Sequence, residues 1–194
     1  MTKVDMVSDE DWLDLVEADL LDVLEGTVLD GAPIVRCSAR SGLGLERILA
    51  ELDRFLLTSA PRRDVGRPRL PIDRIFTRMG SSGTLNDGVL TVGQEVEIQP
   101  SGHKARIRGL QSHKQKVQRV VPGSRAAVNL SGLSTDEVRR GEVVTTPGWL
   151  HPTTLVDCTL RYLPDAPAPL KHNALVDFFS GAAESQARVR ILGK

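Results

Sequence analysis

Cysteine is scarce in this chain of 194 residues. Its two cysteines, Cys37 and Cys158, lie far apart and have no metal-ligand spacing. Cys37 sits in an apolar, strand-like run and reads as a buried free thiol. Clustered histidine is also missing: His103, His151 and His172 have no convergent partners, so no metal site is expected. No apolar run approaches membrane-spanning length, and no signal peptide opens the chain. A reducing cytoplasm and no membrane partner are expected. Net charge is absent in sum, with 25 basic and 25 acidic residues. That zero hides an asymmetry. Residues 1–60 hold 5 Lys and Arg against 13 Asp and Glu, a balance of −8, and residues 61–194 hold 20 against 12, or +8. A basic later portion suits presentation to nucleic acid or another polyanion. A solvated surface with no partner fits the charge alone equally well.

What is present suits one large or two small domains, with an ordinary hydrophobic fraction of 40%. Ser8 reads as an N-cap with Asp11 in the capping-box position. Trp12, Leu13, Val16, Leu20, Val23 and Leu24 then recur at helical steps to about Glu25, where Gly26 ends the element. Residues 33–37 read as a short buried strand, and Leu45, Ile48, Leu49, Leu52, Phe55 and Leu56 form a second helical stripe. A strand end, helix, strand and helix in succession is the pattern of an α/β layer. Residues 60–69, with two prolines, a glycine and four arginines, read as an extended basic linker.

The character changes at residues 70–77. Leu70, Ile72 and Phe76 share one face of a period-two strand, and Arg74 falls on that face and breaks it. Such a charge either passes the barrel rim to solvent, pairs with an acid, or lines a pocket for an anion. Short strands follow around Val96 and Ile98 and over residues 104–111, 126–130 and 142–145, punctuated by Ser101-Gly102, Pro122-Gly123 and Arg140-Gly141. This spacing suggests a small antiparallel barrel. Gly80-Ser81-Ser82-Gly83-Thr84 reads as a turn, and the positive run His113-Lys114-Gln115-Lys116 with Arg119 as a hairpin loop, solvated or touching RNA phosphates. Beyond it, residues 153–163 read as a long strand, 164–169 as a proline-rich loop, and 170–179 and 184–192 as two further strands.

Thr2-Lys3-Val4-Asp5, followed about 33 residues later by Ser38-Ala39-Arg40, resembles the guanine-recognition pair of the translational GTPases. The resemblance implies that the Asp5 carboxylate takes guanine N1–H and the exocyclic amine. Lys3 would lie along the base, and the Ala39 N–H would donate to O6 in a turn shaped by Ser38. The usual Asn of the first motif is Thr2, as is compatible with the selenocysteine branch. The ordered series "LPIDRIFT", "DGVLTVGQEVEIQPSG", "ARIRGLQSHKQKV", "PGSRAAVNLSG" and "VRRGEVV" resembles the second domain of that family, most of all the selenocysteine-specific elongation factors of the SelB type.

The resemblance implies an α/β plus β fold. Residues 1–60 would be the C-terminal part of a GTP-binding domain, 61–69 a linker, 70–148 a domain II-like barrel and 149–194 part of a domain III-like β domain. It implies a monomeric piece of a GTPase that, with GTP, GDP and Mg2+ bound in the intact family, delivers selenocysteyl-tRNA to the ribosome. Asp73, Arg74 and Arg125 would line the aminoacyl pocket. A selenol is an anion at neutral pH, so two guanidinium groups would hold it, while Asp73 met the ester-linked amino group. Neighbouring strand residues point to opposite faces, so Asp73 and Arg74 can share a pocket only at a bulge or strand end.

The phosphate loop G-x-x-x-x-G-K-[ST], the switch threonine and D-x-x-G occur nowhere in the chain, so no GTP hydrolysis by these residues alone is expected. About five residues of the family's second strand are missing near Thr84, which predicts unpaired edges or a shifted register. The alternatives are a piece of another translational GTPase, of the elongation factor Tu or initiation factor gamma type, or a non-catalytic RNA-binding barrel.

Overall fold

The computed structural model describes residues 1–60, 64–76, 80–163 and 166–192, except for the side chain of Thr135. Outside the described residues lie part of the linker (61–63), Thr77 with its two successors, and the first two residues of the proline-rich loop (164–165). The chain forms two units, Met1–Pro61 and Arg62–Lys194.

In the first unit, helix α1 spans Glu10–Leu24 and helix α2 Leu45–Thr58. The cap of α1 is Asp9 rather than Ser8: its carboxylate accepts from the Asp11 and Trp12 N–H groups at 3.1 and 3.3 Å. An acidic cap opposite the positive end of the helix dipole is worth more than a hydroxyl there. Residues 33–37 do not form a regular strand. They do pair with the first residues: the Met1 ammonium donates to the Val35 carbonyl (2.9 Å), Cys37 N–H to Met1 (3.0 Å), and Val4 N–H to Cys37 (3.3 Å). That alternation is a parallel ladder only a few residues long. From it, Arg36 reaches back to α1, with Nε on Glu17 at 2.6 Å, one terminal nitrogen on Asp14 at 2.6 Å and the other on Glu10 at 3.4 Å. These acids sit at i, i+4 and i+7 on one face of the helix. Glu10 and Asp14 are 82% and 68% exposed, so solvent screens these pairs. Leu13 is the buried residue of α1, and none of α2 is buried.

In the second unit the strands are β1 (Arg69–Phe76), β2 (Gly80–Thr84), β3 (Leu90–Thr91), β4 (Glu95–Gln99), β5 (His103–Ser112), β6 (Gln115–Val117), β7 (Arg119–Val120), β8 (Arg125–Ser131), β9 (Val143–Thr145), β10 (Leu175–Ser180) and β11 (Ala183–Arg188). The order β4-β9-β1-β2-β8-β5 closes through β4–β5 into a six-stranded antiparallel barrel, and β6 extends β5 as a hairpin. Leu70, Ile72, Val96, Ile98, Ile107, Val128 and Val144 fill its interior from alternating strand positions.

Four sequence expectations are corrected here. Gly80–Thr84 is not a turn but β2, paired with both β1 and β8, so no barrel edge is left open at the shortened segment. Small side chains make this possible: a Cβ on Gly83 would lie 1.9 Å from the Pro71 carbonyl oxygen. Next, the register shift between β1 and β2 is confined to a bulge at Ile72/Arg74. One extra residue re-phases the strand, so Ile75 packs against the core while Arg74 and Phe76 face outward. Thirdly, residues 153–163 form no strand, and no strand among the described residues pairs with them. The later pair is shorter than expected, a separate β10–β11 hairpin. Finally, residues 64–68 are not a free linker. Asp87 accepts Val65 N–H (2.9 Å), Asp64 accepts Gly88 N–H (3.1 Å), Thr145 Oγ1 donates to Pro68 (2.7 Å), and the Arg67 guanidinium stacks 3.8 Å from the Trp149 ring centroid.

Candidate functional site

The first unit brings its two motif loops side by side through the short ladder. Lys3 adopts a left-handed conformation (φ 61°) and leads into a 3-10 turn over Val4–Met6, and Thr2, Lys3 and Asp5 are exposed. Ser38 is buried at 1% exposure and organises the second loop: its N–H donates to Leu43, its carbonyl accepts from Gly42, and its Oγ accepts the Ser41 N–H at 3.2 Å. That turn holds Ala39 and Arg40 outward. Gly44 closes it at φ 71°, with the Arg36 carbonyl oxygen 2.0 Å from where a Cβ would stand. An exposed carboxylate on one loop and an exposed, donor-bearing turn on the other form a set that fits an amide-edged base such as guanine.

In the second unit, the bulge turns Asp73 toward the start of β8. Arg125 grips it in two-pronged fashion, with one terminal nitrogen 2.7 Å from Oδ1 and the other on Oδ2. The Ser82 hydroxyl donates to Oδ1 at 3.5 Å, and the Ser112 hydroxyl donates to the Arg125 carbonyl at 2.9 Å. Arg74 is the next residue along β1 and is exposed. The hydrogen bonds from Arg125 hold the Asp73 carboxyl below the ordinary carboxylate value, against the opposing effect of partial burial. Arg74 adds a smaller pull in the same direction. Asp73 in turn raises Arg125.

This shift has a sign that can be tested. Asp73 titrates lower in the folded chain than in the unfolded one. The pair's contribution is therefore complete above the unfolded value near 4 and is lost as pH falls through the depressed folded value. The side chains are 48% and 30% exposed, so solvent screening limits that contribution to about 0.5–1 kcal/mol. Asp73→Asn is expected to cost this much at neutral pH, and progressively less below about pH 4. Urea melts across that range measure the difference.

Beside the pair is a feature that the sequence did not reveal. A cavity of about 310 Å³ opens between β5, β6 and β8, with Val92, Leu110 and Val117 as its apolar lining and Arg108, Gln111, Lys116 and Asn129 as polar groups. Ala127 lines it too, two residues along β8 from Arg125 and paired with both Ser82 and Gln111. Asp73, Arg74 and Arg125 do not line this cavity, so the ion pair stands next to it on the surface. Its one sequence signal was the alternation of basic and apolar residues before Gly109. The break in β5–β8 register between Ile107 and Gly109 that accompanies the cavity leaves no mark in composition. Among the described residues no group of His, Cys, Asp or Glu could hold a metal ion, and no helix is long and apolar enough to cross a membrane.

Known proteins resemble the chain in sequence and in fold. The family described as elongation factor Tu domain 2 matches residues 81–145. A selenocysteine-specific elongation factor from Desulfomicrobium baculatum is 42% identical over 198 residues, covering 100% of this chain and 31% of the relative. The chain thus spans about a third of that curated relative's length. In fold, it is similar to elongation factor SelB from Methanococcus maripaludis, solved in complex with the GTP analogue GppNHp. The TM-score is 0.80 at 22% identity, covering 96% of this chain and 42% of that one. The crystal structure of a bacterial selenocysteine-specific elongation factor matches with TM-score 0.80 at 24% identity, covering 100% of this chain and 33% of the other.

Proposed function

Since the chain belongs to the selenocysteine-specific elongation factors, we propose that it carries two of their binding functions, one in each unit. In the first, within the GTP-binding portion of residues 1–60, Thr2, Lys3, Asp5, Ser38, Ala39 and Arg40 recognise the guanine base of GTP or GDP. Asp5 accepts from two nitrogens of the base, a match that adenine does not offer. The phosphates and Mg2+ need a phosphate loop, which these residues do not supply, so the chain's role toward the nucleotide is recognition of the base. In the second, the domain II-like barrel of residues 70–148 seats the aminoacyl end of selenocysteyl-tRNA on its way to the ribosome. Residues 149–194 belong to the domain III-like part.

The two-pronged ion pair between Asp73 and Arg125 is the observation that carries the second assignment. It keeps an acid and a base together at one surface point, with a second guanidinium on Arg74. An aminoacyl ester with a positive amine and a selenolate offers each of them a partner of opposite charge. A seryl ester offers only the amine, and separating the pair for it leaves Arg125 without a counter-charge. The identity of 42% to a selenocysteine-specific factor favours this reading over an elongation factor Tu or initiation factor gamma type.

The test is the affinity of the chain for selenocysteyl-tRNA against seryl-tRNA, read by filter binding at one salt concentration. We expect selenocysteyl-tRNA to bind at least about tenfold tighter, the value of one charge-assisted contact. Equal affinities overturn the assignment.

A further inference from the structure

No Asp or Glu occurs between Glu97 and Asp136, a span that holds seven Lys and Arg. Three of the seven are answered in the fold. Arg106 pairs with Glu95 at 2.7 Å, Arg125 pairs with Asp73, and Lys104 stands opposite Glu97 in the β4–β5 register. The other four, Arg108, Lys114, Lys116 and Arg119, are exposed and make no ion pair among the described residues. They gather on one continuous piece of backbone, running from β5 through its hairpin turn and β6 to the start of β7. Arg108 and Lys116 also line the 310 Å³ cavity. Four like charges without a counter-ion repel one another, and folding alone gives no reason to keep them together.

The turn adds an independent observation. His113 and Lys114 both adopt positive φ, 51° and 64°, as in the two-residue turns that ordinarily take Asn-Gly. Non-glycine residues are strained there, and such strain is retained where the side chain is needed. Here the retained group is the Lys114 ammonium, at the tip of the hairpin and clear of the barrel wall.

We propose that this hairpin is a track for the backbone phosphates of an RNA strand whose end lies at the neighbouring cavity. Lys114, Lys116 and Arg119 would grip phosphates, and Arg108 the last of them at the cavity mouth. The proposal rests on reading the barrel as the seat of a tRNA terminus, and it adds the residues that hold the strand leading there. Phosphate contacts of this kind are blind to the amino acid and announce themselves through salt.

The experiment uses the full chain and an acceptor-arm RNA minihelix, without and with its aminoacyl group, titrated from low to high salt. Lys114→Gln with Lys116→Gln is expected to reduce the slope of log affinity against log salt by about one unit per lysine. The loss should be equal for both RNAs, and the thermal melt should not fall, since two mutually repelling charges are removed. A second variant, His113→Asn with Lys114→Gly, relaxes the turn, so it should melt higher while binding RNA more weakly. A purely structural hairpin would not separate those two readings. An unchanged slope with binding intact overturns the track and leaves the aminoacyl assignment standing. A wild-type chain that does not prefer selenocysteyl- over seryl-RNA overturns the aminoacyl assignment, while a reduced slope in the same titration still supports the track. Lysine-dependent binding to phosphatidylserine vesicles as strong as that to RNA overturns the choice of partner.

Discussion

Gly83→Ala is expected to destabilise the barrel severely. A Cβ at that position meets the Pro71 carbonyl oxygen at 1.9 Å, the Pro71 carbonyl carbon at 3.0 Å and the Leu70 Cδ2 at 2.9 Å. Two of these are backbone atoms of β1, and β1 cannot retreat. It is held by β9 on its other side and carries Leu70 and Ile72, both at 0% exposure, in the core. Relieving the clash means parting β1 from β2 beside Ile72, its register partner. Overpacking of this severity costs about 3 kcal/mol or more, a large share of the roughly 5–15 kcal/mol that holds a domain together. Gly109→Ala is the control. Nothing lies within 4 Å of its added Cβ, so it should stay within about 1 kcal/mol of the parent. Far-ultraviolet dichroism and urea melts of the two variants decide the matter. If Gly83→Ala melts with the parent, the close approach of β1 and β2 is not as described.

The second large effect concerns the ligand. Arg125→Ala should reduce the preference for selenocysteyl- over seryl-tRNA by about 10- to 100-fold, the value of one charge-assisted hydrogen-bonding group. Asp73→Asn should leave a different signature. It frees Arg125 and removes the negative charge that would meet the ester-linked amine, so all aminoacyl-tRNAs weaken while their ranking is kept. Paired affinities of both variants for both RNAs measure this. If both variants alter the ranking alike, or neither alters it, then acid and base do not have separate roles.

How much of this could be read beforehand depended on what each element shows in its side chains. Helices α1 and α2 announced themselves by apolar residues at three- and four-residue steps, and β4 by the alternation of Val96 and Ile98. Strand β2 has almost nothing to alternate: Gly80, Ser81, Ser82, Gly83 and Thr84 look like a turn because small residues serve close strand approach as well as turns. Phe76 and Arg74 were assigned to the inward face because period-two counting has no means to notice an inserted residue. The bulge reverses that counting from Asp73 onward. Residues 153–163 have the composition of a strand, but a strand also needs a neighbour. Asp73, Arg74 and Arg125 were visible as candidates through motif likeness, whereas the two-pronged grip of Arg125 on the Asp73 carboxylate was not. The cavity with Gln111 and Asn129 accompanies a break in the β5–β8 register, which leaves no mark in composition.

The three carboxylates on Arg36 seat α1. A guanidinium that spans Glu10, Asp14 and Glu17 acts as a pawl in a ratchet: it fixes both the azimuth of α1 and its position along its axis. Slippage by one turn would strand a charge at one end. Leu13 apart, the helix has no buried side chain to do that job, so its seating answers to ionic strength in the opposite sense to the barrel, whose oily interior concentrated salting-out ions only tighten.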